Sequence, residues 1–344
     1  MKHKDSFDLI RLSAALAVLI SHQFAVLGQP QPYILGSSLG ALGVSVFFVV
    51  SGFFVFQSWE RDPNFLRFLK RRALRILPAF IVLVLLSIFL LGPLATTKTL
   101  REYFEAPQTW RYFKNLLFIP QYVLPGVFTS NPVPNAVNGS IWSLQPEAMM
   151  YLFVALSGLL AFTTRIYALI AAALVIVGSV LILPEDSFRR SIVNLAAFFL
   201  AGMLYWRLRS VLLRWQTLIA ASLFASAAAL FGYGHLALWL VIPPAVLLLG
   251  QIKPFRSMPG DWSYGTYLYA FPVQQIVIGA GVVSFFSSFA LVVVFTTGLA
   301  ILSWRLIEQP ALRLKPRATL PANRPTDLLA SGTSSAEDGL EKAL

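Results

Sequence analysis

Apolar windows long enough to cross a membrane recur along this chain, and short polar or Pro/Gly-marked breaks separate them. A helix needs roughly 20 mostly apolar residues to span a bilayer, where each backbone N–H and C=O must be paired within the segment. The sequence therefore predicts an all-α fold, a polytopic membrane helical bundle with about ten transmembrane helices. The predicted spans are residues 7–27, 39–57, 75–95, 140–162, 166–183, 190–206, 212–231, 236–250, 263–283 and 286–306.

Composition excludes a soluble globule, because 57% of the 344 residues are hydrophobic and 12% are charged. Soluble domains carry about a quarter charged residues. The chain has no cysteine, which excludes disulfides, thiolate nucleophiles and cysteine-based metal sites. Its three histidines stand at positions 3, 22 and 235, too far apart in sequence to indicate a clustered metal site, so we expect no metal.

The net charge of +12 follows from membrane topology. With a cytoplasmic N-terminus, 20 of the 27 Lys and Arg residues fall in cytoplasmic segments and six in outer segments. This asymmetry satisfies the positive-inside rule, and it predicts that both termini are cytoplasmic. The basic surplus therefore gives no reason to expect a nucleic-acid partner.

The chain is predicted to contain one membrane domain and a tail. Residues 1–315 form the integral membrane domain, in which residues 96–139 are a long outer loop too polar to cross the bilayer. The first apolar run is too long for a cleavable signal peptide, so we expect it to be retained as the first span. Residues 316–344 are rich in Pro, Ser, Ala and charge, and we predict a disordered cytoplasmic tail.

Two polar residues of the first span share one face of its helix. Arg11 and His22 are eleven residues apart, which at about 100° per residue places them within about 20° of each other and about 16 Å apart along the axis. His22 is a candidate general base, or else a buried imidazole hydrogen-bonded to a neighbour. Arg11 is either functional or paired with Asp8, three residues earlier.

A basic run precedes the third predicted span. Arg72 and Arg75 share a face at i,i+3, and Arg71 and Arg75 share one at i,i+4. Guanidinium groups at this spacing can bind a polyphosphate. The alternative is a topology anchor or a contact with anionic lipid.

The fourth predicted span opens with a polar stripe. Ser143, Glu147 and Tyr151 are four residues apart, and Pro146 is expected to kink this helix. Because the first and fourth helices run in opposite directions, we expect Glu147 and His22 to lie at similar depth. They could then pair as orienter and base, and a purely structural ion pair or hydrogen bond is the alternative.

Six motifs in this order resemble the integral-membrane acyltransferase 3 family, which modifies surface polysaccharides, lipopolysaccharide, peptidoglycan and related acceptors. The resemblance spans nearly the whole membrane domain. In this chain the motifs are Asp8 with Arg11 and His22, residues 40–53 ending in FFVVSGF, Arg72 and Arg75 before Pro78, WSLQPE at 142–147, SYGTYL at 263–268, and SWRLIEQP at 303–310.

The resemblance implies an acyl-CoA donor, with acetyl as the acyl group, taken from the cytoplasm. It implies an acceptor hydroxyl on a carbohydrate or glycolipid at the outer half of a bacterial-type plasma (inner) membrane. Many members carry a histidine in the ninth-span motif where this chain has Ala270, so no role of that histidine can be carried over.

The resemblance and the polar stripes together give our candidate site residues. The candidate catalytic residues are His22 and Glu147. The candidate donor-binding residues are Arg72, Arg75, Arg71 and Arg11, and the candidate substrate-binding residues are Trp142, Ser143 and Tyr151.

Two mechanisms and one rival function stay open at this point. His22 could act as a general base on the acceptor hydroxyl, or it could carry the acyl group covalently. The rival function is a transporter or flippase of a glycan or lipid-linked precursor, in which Arg, His and Glu form a substrate or proton path. The acceptor's identity and the oligomeric state do not follow from the sequence.

Overall fold

The fold is mainly helical. A computed structural model describes residues 6–161, 163, 166, 167, 169, 170, 174, 188–252 and 258–316. Within these residues, nine helices have 16 or more residues. They are α1 (Phe7–Val26), α2 (Leu39–Arg61), α3 (Phe65–Leu86), α4 (Leu144–Leu159), α5 (Phe188–Arg207), α6 (Trp215–Leu230), α7 (Gly234–Gln251), α8 (Ser263–Gly279) and α9 (Phe285–Ser303).

Five helical stretches among the described residues are long and apolar enough to cross a membrane. The chain is therefore an integral membrane protein, while the count of ten spans stays a prediction. Most of the predicted span 166–183 lies outside the described residues, as do residues 317–344 of the predicted tail. The five stretches are Phe7–Val26, Leu39–Arg61, Phe65–Ala95, Gly234–Gln251 and Phe285–Arg313.

The third helix begins ten residues before the predicted start of its span. Asn64 caps it, since its side-chain oxygen accepts a hydrogen bond from the Arg67 N–H at 3.0 Å. A π-helical segment, Ser87–Leu91, and a short helix, Gly92–Ala95, continue it. The hydropathy signal missed the first turns because basic residues lie there. These basic residues are consequently part of the helix.

Helix α2 is central to the bundle, with its most extensive contacts to α5 and α1. At the α2–α5 crossing, a Cβ on Gly52 would collide with the backbone carbonyl of Phe199. A Cβ on Gly202 would in turn collide with the carbonyl of Val49. Two glycines facing each other let the helix backbones touch, as small residues do in membrane bundles.

The 96–139 segment folds onto one end of the bundle. It contains the helices Leu100–Glu105 and Pro107–Arg111 and the 3-10 segments Tyr112–Leu117 and Gly139–Ser143. Gln275 of α8 donates hydrogen bonds to the carbonyls of Val133 and Ala136 at 2.8 and 2.6 Å. Asn131 donates to the Gln275 side chain at 2.9 Å. These bonds hold the loop against α8, close to the end of α1 that contains His22.

Asp62 connects α2 to α3 through two arginines. Arg67 donates two hydrogen bonds to its carboxylate, at 2.6 and 3.0 Å, and Arg71 donates one at 2.6 Å. The hydrogen bond from Arg67 lowers the pKa of Asp62 most, and the charge and hydrogen bond of Arg71 lower it further. Burial alone would raise this pKa, but the net result is a fall from 3.8 to about 2. The ionised carboxylate therefore stabilises this turn.

We predict that Asp62→Asn destabilises the protein at neutral pH and that its effect shrinks in acid. A depressed carboxyl pKa gives stability that is present above pH 3.8 and is lost as the pH falls toward 2. The measurement is thermal unfolding in detergent, followed by tryptophan fluorescence between pH 7 and roughly pH 3. Glu105→Gln is the control, because the Arg101–Glu105 pair is exposed. Equal stability of Asp62→Asn and the unmodified protein at pH 7 would contradict the prediction.

Candidate active site

A cavity of about 90 Å³ lies between α1, α2, α3, α4 and α8. Its lining contains three arginines and one glutamate, together with serines, tyrosines and apolar side chains. Its volume is small beside the roughly 300–1,000 Å³ of sites that enclose a drug-sized ligand. The polar lining residues are Arg11, Ser51, Arg72, Arg75, Ser143, Glu147, Tyr151, Ser263, Tyr264 and Tyr267.

Asp261 organises two of the three arginines. Its carboxylate forms a hydrogen-bonded ion pair with Arg75 and lies 3.7 Å from Arg11. Ser263 donates to the same carboxylate from its hydroxyl at 2.5 Å. Burial opposes ionisation of Asp261, but Arg75 and Arg11 outweigh it and lower the pKa of the carboxyl to about 2. Arg11 also lies 3.7 Å from Asp8, the pairing that the sequence offered as an alternative.

Arg72 differs from the other cavity arginines, since among the described residues it forms no ion pair. Its guanidinium lies 5.9 Å from the centre of the Phe68 ring and 5.8 Å from that of Tyr151. Its Nε is buried without a hydrogen-bond partner. The two aromatic rings pack against the group, and Glu147 lies close enough to act on its charge without forming an ion pair.

Arg71 is not part of the cavity lining, and its assignment as a donor-binding residue stays a prediction. It is buried, and its guanidinium is bound to the carboxylate and the backbone carbonyl of Asp62. The i,i+4 relation to Arg75 was read correctly from the sequence. A partner for Arg71 was not predicted from the sequence. That partner is Asp62, which stands in the turn before α3 and accepts hydrogen bonds from the Arg71 guanidinium.

The polar stripe of α4 faces the cavity. Ser143, Glu147 and Tyr151 all line it. The Tyr151 hydroxyl donates to Glu147 Oε1 at 2.5 Å, and Ser51 of α2 donates to the same oxygen at 3.3 Å. Trp142 lies outside the lining, partly buried against the main core. Pro146 stands in the first turn of α4, where its missing N–H costs no helical hydrogen bond.

His22 lies apart from Glu147, so the predicted direct pairing of the two is wrong. His22 Nδ1 is 3.3 Å from Ser140 Oγ, and its ring meets the edge of Phe271 at 5.2 Å. Ser140 precedes Glu147 by seven residues, which at 1.5–2 Å rise per residue separates their levels by about 10–14 Å. The depth of Glu147 in the membrane was misjudged from the sequence. The 3-10 segment that precedes α4, and not α4 itself, lies at the level of the imidazole.

Tyr267 belongs to the SYGTYL motif but was not among the predicted site residues, and it lines the cavity on the side of His22. Its hydroxyl contacts Ser143 Oγ at 2.7 Å and the Ser140 carbonyl at 2.6 Å. Ser143 and Tyr267 line the cavity, and Ser140 contacts His22. A continuous series of polar contacts therefore joins the arginine-lined cavity to the imidazole.

Comparison with known proteins decides the family. A family model described as an acyltransferase domain matches residues 4–305. The chain belongs to this acyltransferase family. It is the family that the six sequence motifs indicated, so that prediction is confirmed.

Two relatives of this acyltransferase match over nearly their full length. An O-acetyl transferase of Shigella phage Sf6 is 32% identical over 338 residues, which cover 93% of this chain and 100% of the relative. Nodulation protein 10 of Rhizobium leguminosarum bv. viciae is 28% identical over 363 residues, 94% of this chain and 96% of the relative. No solved structure matches the acyltransferase.

Proposed function

We propose that this acyltransferase is a membrane O-acetyltransferase that uses cytoplasmic acetyl-CoA. The acceptor is a hydroxyl of a carbohydrate or glycolipid at the outer half of a bacterial-type inner membrane, and both termini are cytoplasmic. The similarity to the O-acetyl transferase of Shigella phage Sf6 supports acetyl as the transferred group. The distribution of Lys and Arg supports the cytoplasmic position of both termini. The observation that carries the proposal is the cavity, which joins an arginine without an ion-pair partner to a hydrogen-bonded path toward His22.

The charge of the cavity suits the phosphates of the donor, and its volume suits the acyl end. CoA carries phosphates at one end and the thioester at the other, and guanidinium groups bind phosphate oxygens in pairs. Among the described residues that line the cavity, Arg72 is the arginine with no carboxylate within ion-pair distance, whereas Asp261 partly neutralises Arg75 and Arg11. A cavity of about 90 Å³ takes only the acyl end of such a donor, which favours a short acyl group. The nucleotide then stays at the arginine end.

The chemistry is assigned to His22. As a general base, its free ring nitrogen takes the proton of the acceptor hydroxyl while that oxygen attacks the thioester carbon. The carbon–sulfur bond breaks, and CoA leaves as a thiolate that takes up a proton. In the covalent version the same nitrogen attacks the thioester carbon first, the carbon–sulfur bond breaks, and CoA leaves as a thiolate that takes up a proton. The acceptor oxygen then attacks the acyl-imidazole, the nitrogen–acyl bond breaks, and the freed imidazole takes up the hydroxyl proton. Ser143 and Tyr267 stand between cavity and imidazole, so in either version the acyl group displaces or passes them.

The test of the function is transfer of labelled acetyl. Membranes that contain the protein are incubated with acetyl-CoA carrying radiolabelled acetyl, and alkali-labile label is measured in the envelope glycolipid and glycan fraction. Mass spectrometry of the same fraction from cells with and without the protein should show an ester that depends on it. Solute flux in vesicles that contain no CoA, with no label transferred, would instead support the transporter or flippase.

We predict that Arg72→Gln raises the KM for acetyl-CoA and leaves kcat nearly unchanged. The loss of a charge-assisted hydrogen bond, worth about 1.5–3 kcal/mol, corresponds to a roughly 10- to 100-fold increase in KM. Initial rates of thiol release measure both constants. Lys70→Gln is the matched control, because Lys70 is an exposed cation on the same helix outside the cavity lining. A KM equal in the two variants would remove Arg72 from donor binding.

A further inference from the structure

The Tyr267 hydroxyl has a hydrogen-bond direction fixed by its partners. Its proton goes to the Ser140 carbonyl at 2.6 Å, because a carbonyl oxygen only accepts. The 2.7 Å contact with Ser143 is therefore donated by the Ser143 hydroxyl. The tyrosine is buried, and its ring packs edge-on against Phe47. One hydroxyl thus ties a cavity-lining serine to the backbone of the 3-10 segment.

The 3-10 segment Gly139–Ser143 is attached to α8 at two further points. Asn138 donates to the Leu268 carbonyl at 2.9 Å and accepts from the Ser140 N–H at 2.9 Å. At Gly139 a Cβ would lie 2.7 Å from the Phe271 ring, so the segment approaches α8 as closely as a glycine permits. These contacts place Ser140 beside His22.

The Ser140 hydroxyl contacts His22 Nδ1, and the direction of this hydrogen bond goes with which nitrogen of the ring is free to react. When His22 Nδ1–H donates to Ser140 Oγ, the lone pair of Nε2 is available to take a proton or to attack a carbonyl. When Ser140 donates instead, Nε2 carries the hydrogen and has no lone pair to offer. The position of the Ser140 hydroxyl, set from α8, therefore governs the imidazole.

We propose that Tyr267 is a positioning residue for the reaction, acting on His22 through Ser140. This inference rests on the proposed acetyltransferase function and deepens it. The tyrosine holds the 3-10 segment so that Ser140 accepts from Nδ1, and its contact with Ser143 makes that geometry sensitive to what fills the cavity. Donor binding at Arg72 would then influence the orientation and tautomer of His22, although His22 does not line the cavity.

The test removes one oxygen atom. Tyr267→Phe keeps the ring and its packing, and it should lower kcat about 10- to 100-fold, the cost of misplacing a catalytic group by about 1 Å. KM for acetyl-CoA should stay within twofold of the unmodified value, since Arg72 is untouched. Tyr269→Phe is the matched control: the same change, two residues along α8, at a buried tyrosine whose hydroxyl bonds Ser303. It should keep full kcat.

A double-variant cycle separates positioning from a general loss of packing. Ser140→Ala removes the hydroxyl that contacts His22 and leaves the Tyr267 hydroxyl bonds to Ser143 and the Ser140 carbonyl. If Tyr267 acts through Ser140, the double variant should be no slower than the slower single variant, because both changes break one path. If the kcat losses of the two single variants multiply in the double variant, the two residues act independently and the proposal is wrong.

The outcomes separate this inference from the proposed function. If the unmodified protein transfers no acetyl from acetyl-CoA, the proposed function itself is wrong. If it does transfer acetyl and Tyr267→Phe matches Tyr269→Phe in kcat, only the positioning role is wrong. If Tyr267→Phe does not accumulate in the membrane, Ser140→Ala decides alone, and full kcat in that variant would overturn the proposal.

Discussion

His22→Ala should lower acetyl transfer by roughly 10²–10⁴-fold, the usual contribution of a positioned general base, while the protein still accumulates in the membrane. The imidazole is the titratable side chain at the far end of the polar path from Arg72. Ser140 contacts one of its nitrogens, and no other described residue forms a hydrogen bond with the ring. An alanine leaves Phe271 and the surrounding helices in place. The loss should therefore fall on kcat, with KM for acetyl-CoA unchanged because the donor's charge is held at the cavity arginines and His22 does not line the cavity.

His235→Ala is the matched control for this prediction. His235 lies at the start of α7, where its Nδ1 is 3.4 Å from Ser37 Oγ, and it is not among the residues that line the cavity. Transfer by His235→Ala should equal that of the unmodified protein. A His22→Ala protein that inserts and transfers acetyl at the normal rate would show that the reaction occurs elsewhere. Ping-pong kinetics in the unmodified protein, or a trapped acyl-imidazole, would select the covalent version of the mechanism.

Relations within one helix could be predicted from the sequence. The i,i+4 stripe of Ser143, Glu147 and Tyr151 faces the cavity, and Arg72 and Arg75 share a face of α3. Such spacings follow from the helical repeat alone. The same reasoning placed Arg11 and His22 on one face of α1, of which Arg11 lines the cavity, and it gave the bounds of α1 nearly correctly.

Relations between helices could not be predicted in the same way. The depth of Glu147 relative to His22 depends on where α4 begins, and a 3-10 segment with a longer rise per residue precedes it. Asp62 and Asp261 were missed because they stand in connections, outside any apolar window. A signal for them did exist: buried guanidinium groups need carboxylate partners, and these two acids stand directly before Arg-bearing α3 and before the SYGTYL motif of α8.

Asp261→Asn should combine a loss of stability with a loss of donor binding. Breaking a buried ion pair by removing one partner costs about 3–5 kcal/mol, and the low end applies because the Arg11 and Arg75 side chains are 23% and 21% exposed. Without the Asp261 charge, Arg75 is left with Glu308 at 3.9 Å and Arg11 with Asp8 at 3.7 Å. Both guanidinium groups should then move toward those carboxylates and away from the cavity. We expect KM for acetyl-CoA to rise at least about tenfold, equivalent to 1.4 kcal/mol of binding.

Asp62→Asn distinguishes the two effects, because Asp62 is also a buried carboxylate between two arginines but lies outside the cavity lining. Both variants should melt at lower temperature in detergent, whereas only Asp261→Asn should raise KM. If the two variants lose stability alike and keep the same KM, Asp261 is a structural ion-pair partner and the arginines bind donor without it. Because the pKa of Asp261 is about 2, its carboxylate stays ionised between pH 5 and pH 8. The KM for acetyl-CoA should therefore not change over that range on account of Asp261. An acid-dependent rise in KM over that range would mean that another group, and not Asp261, sets the charge of the cavity.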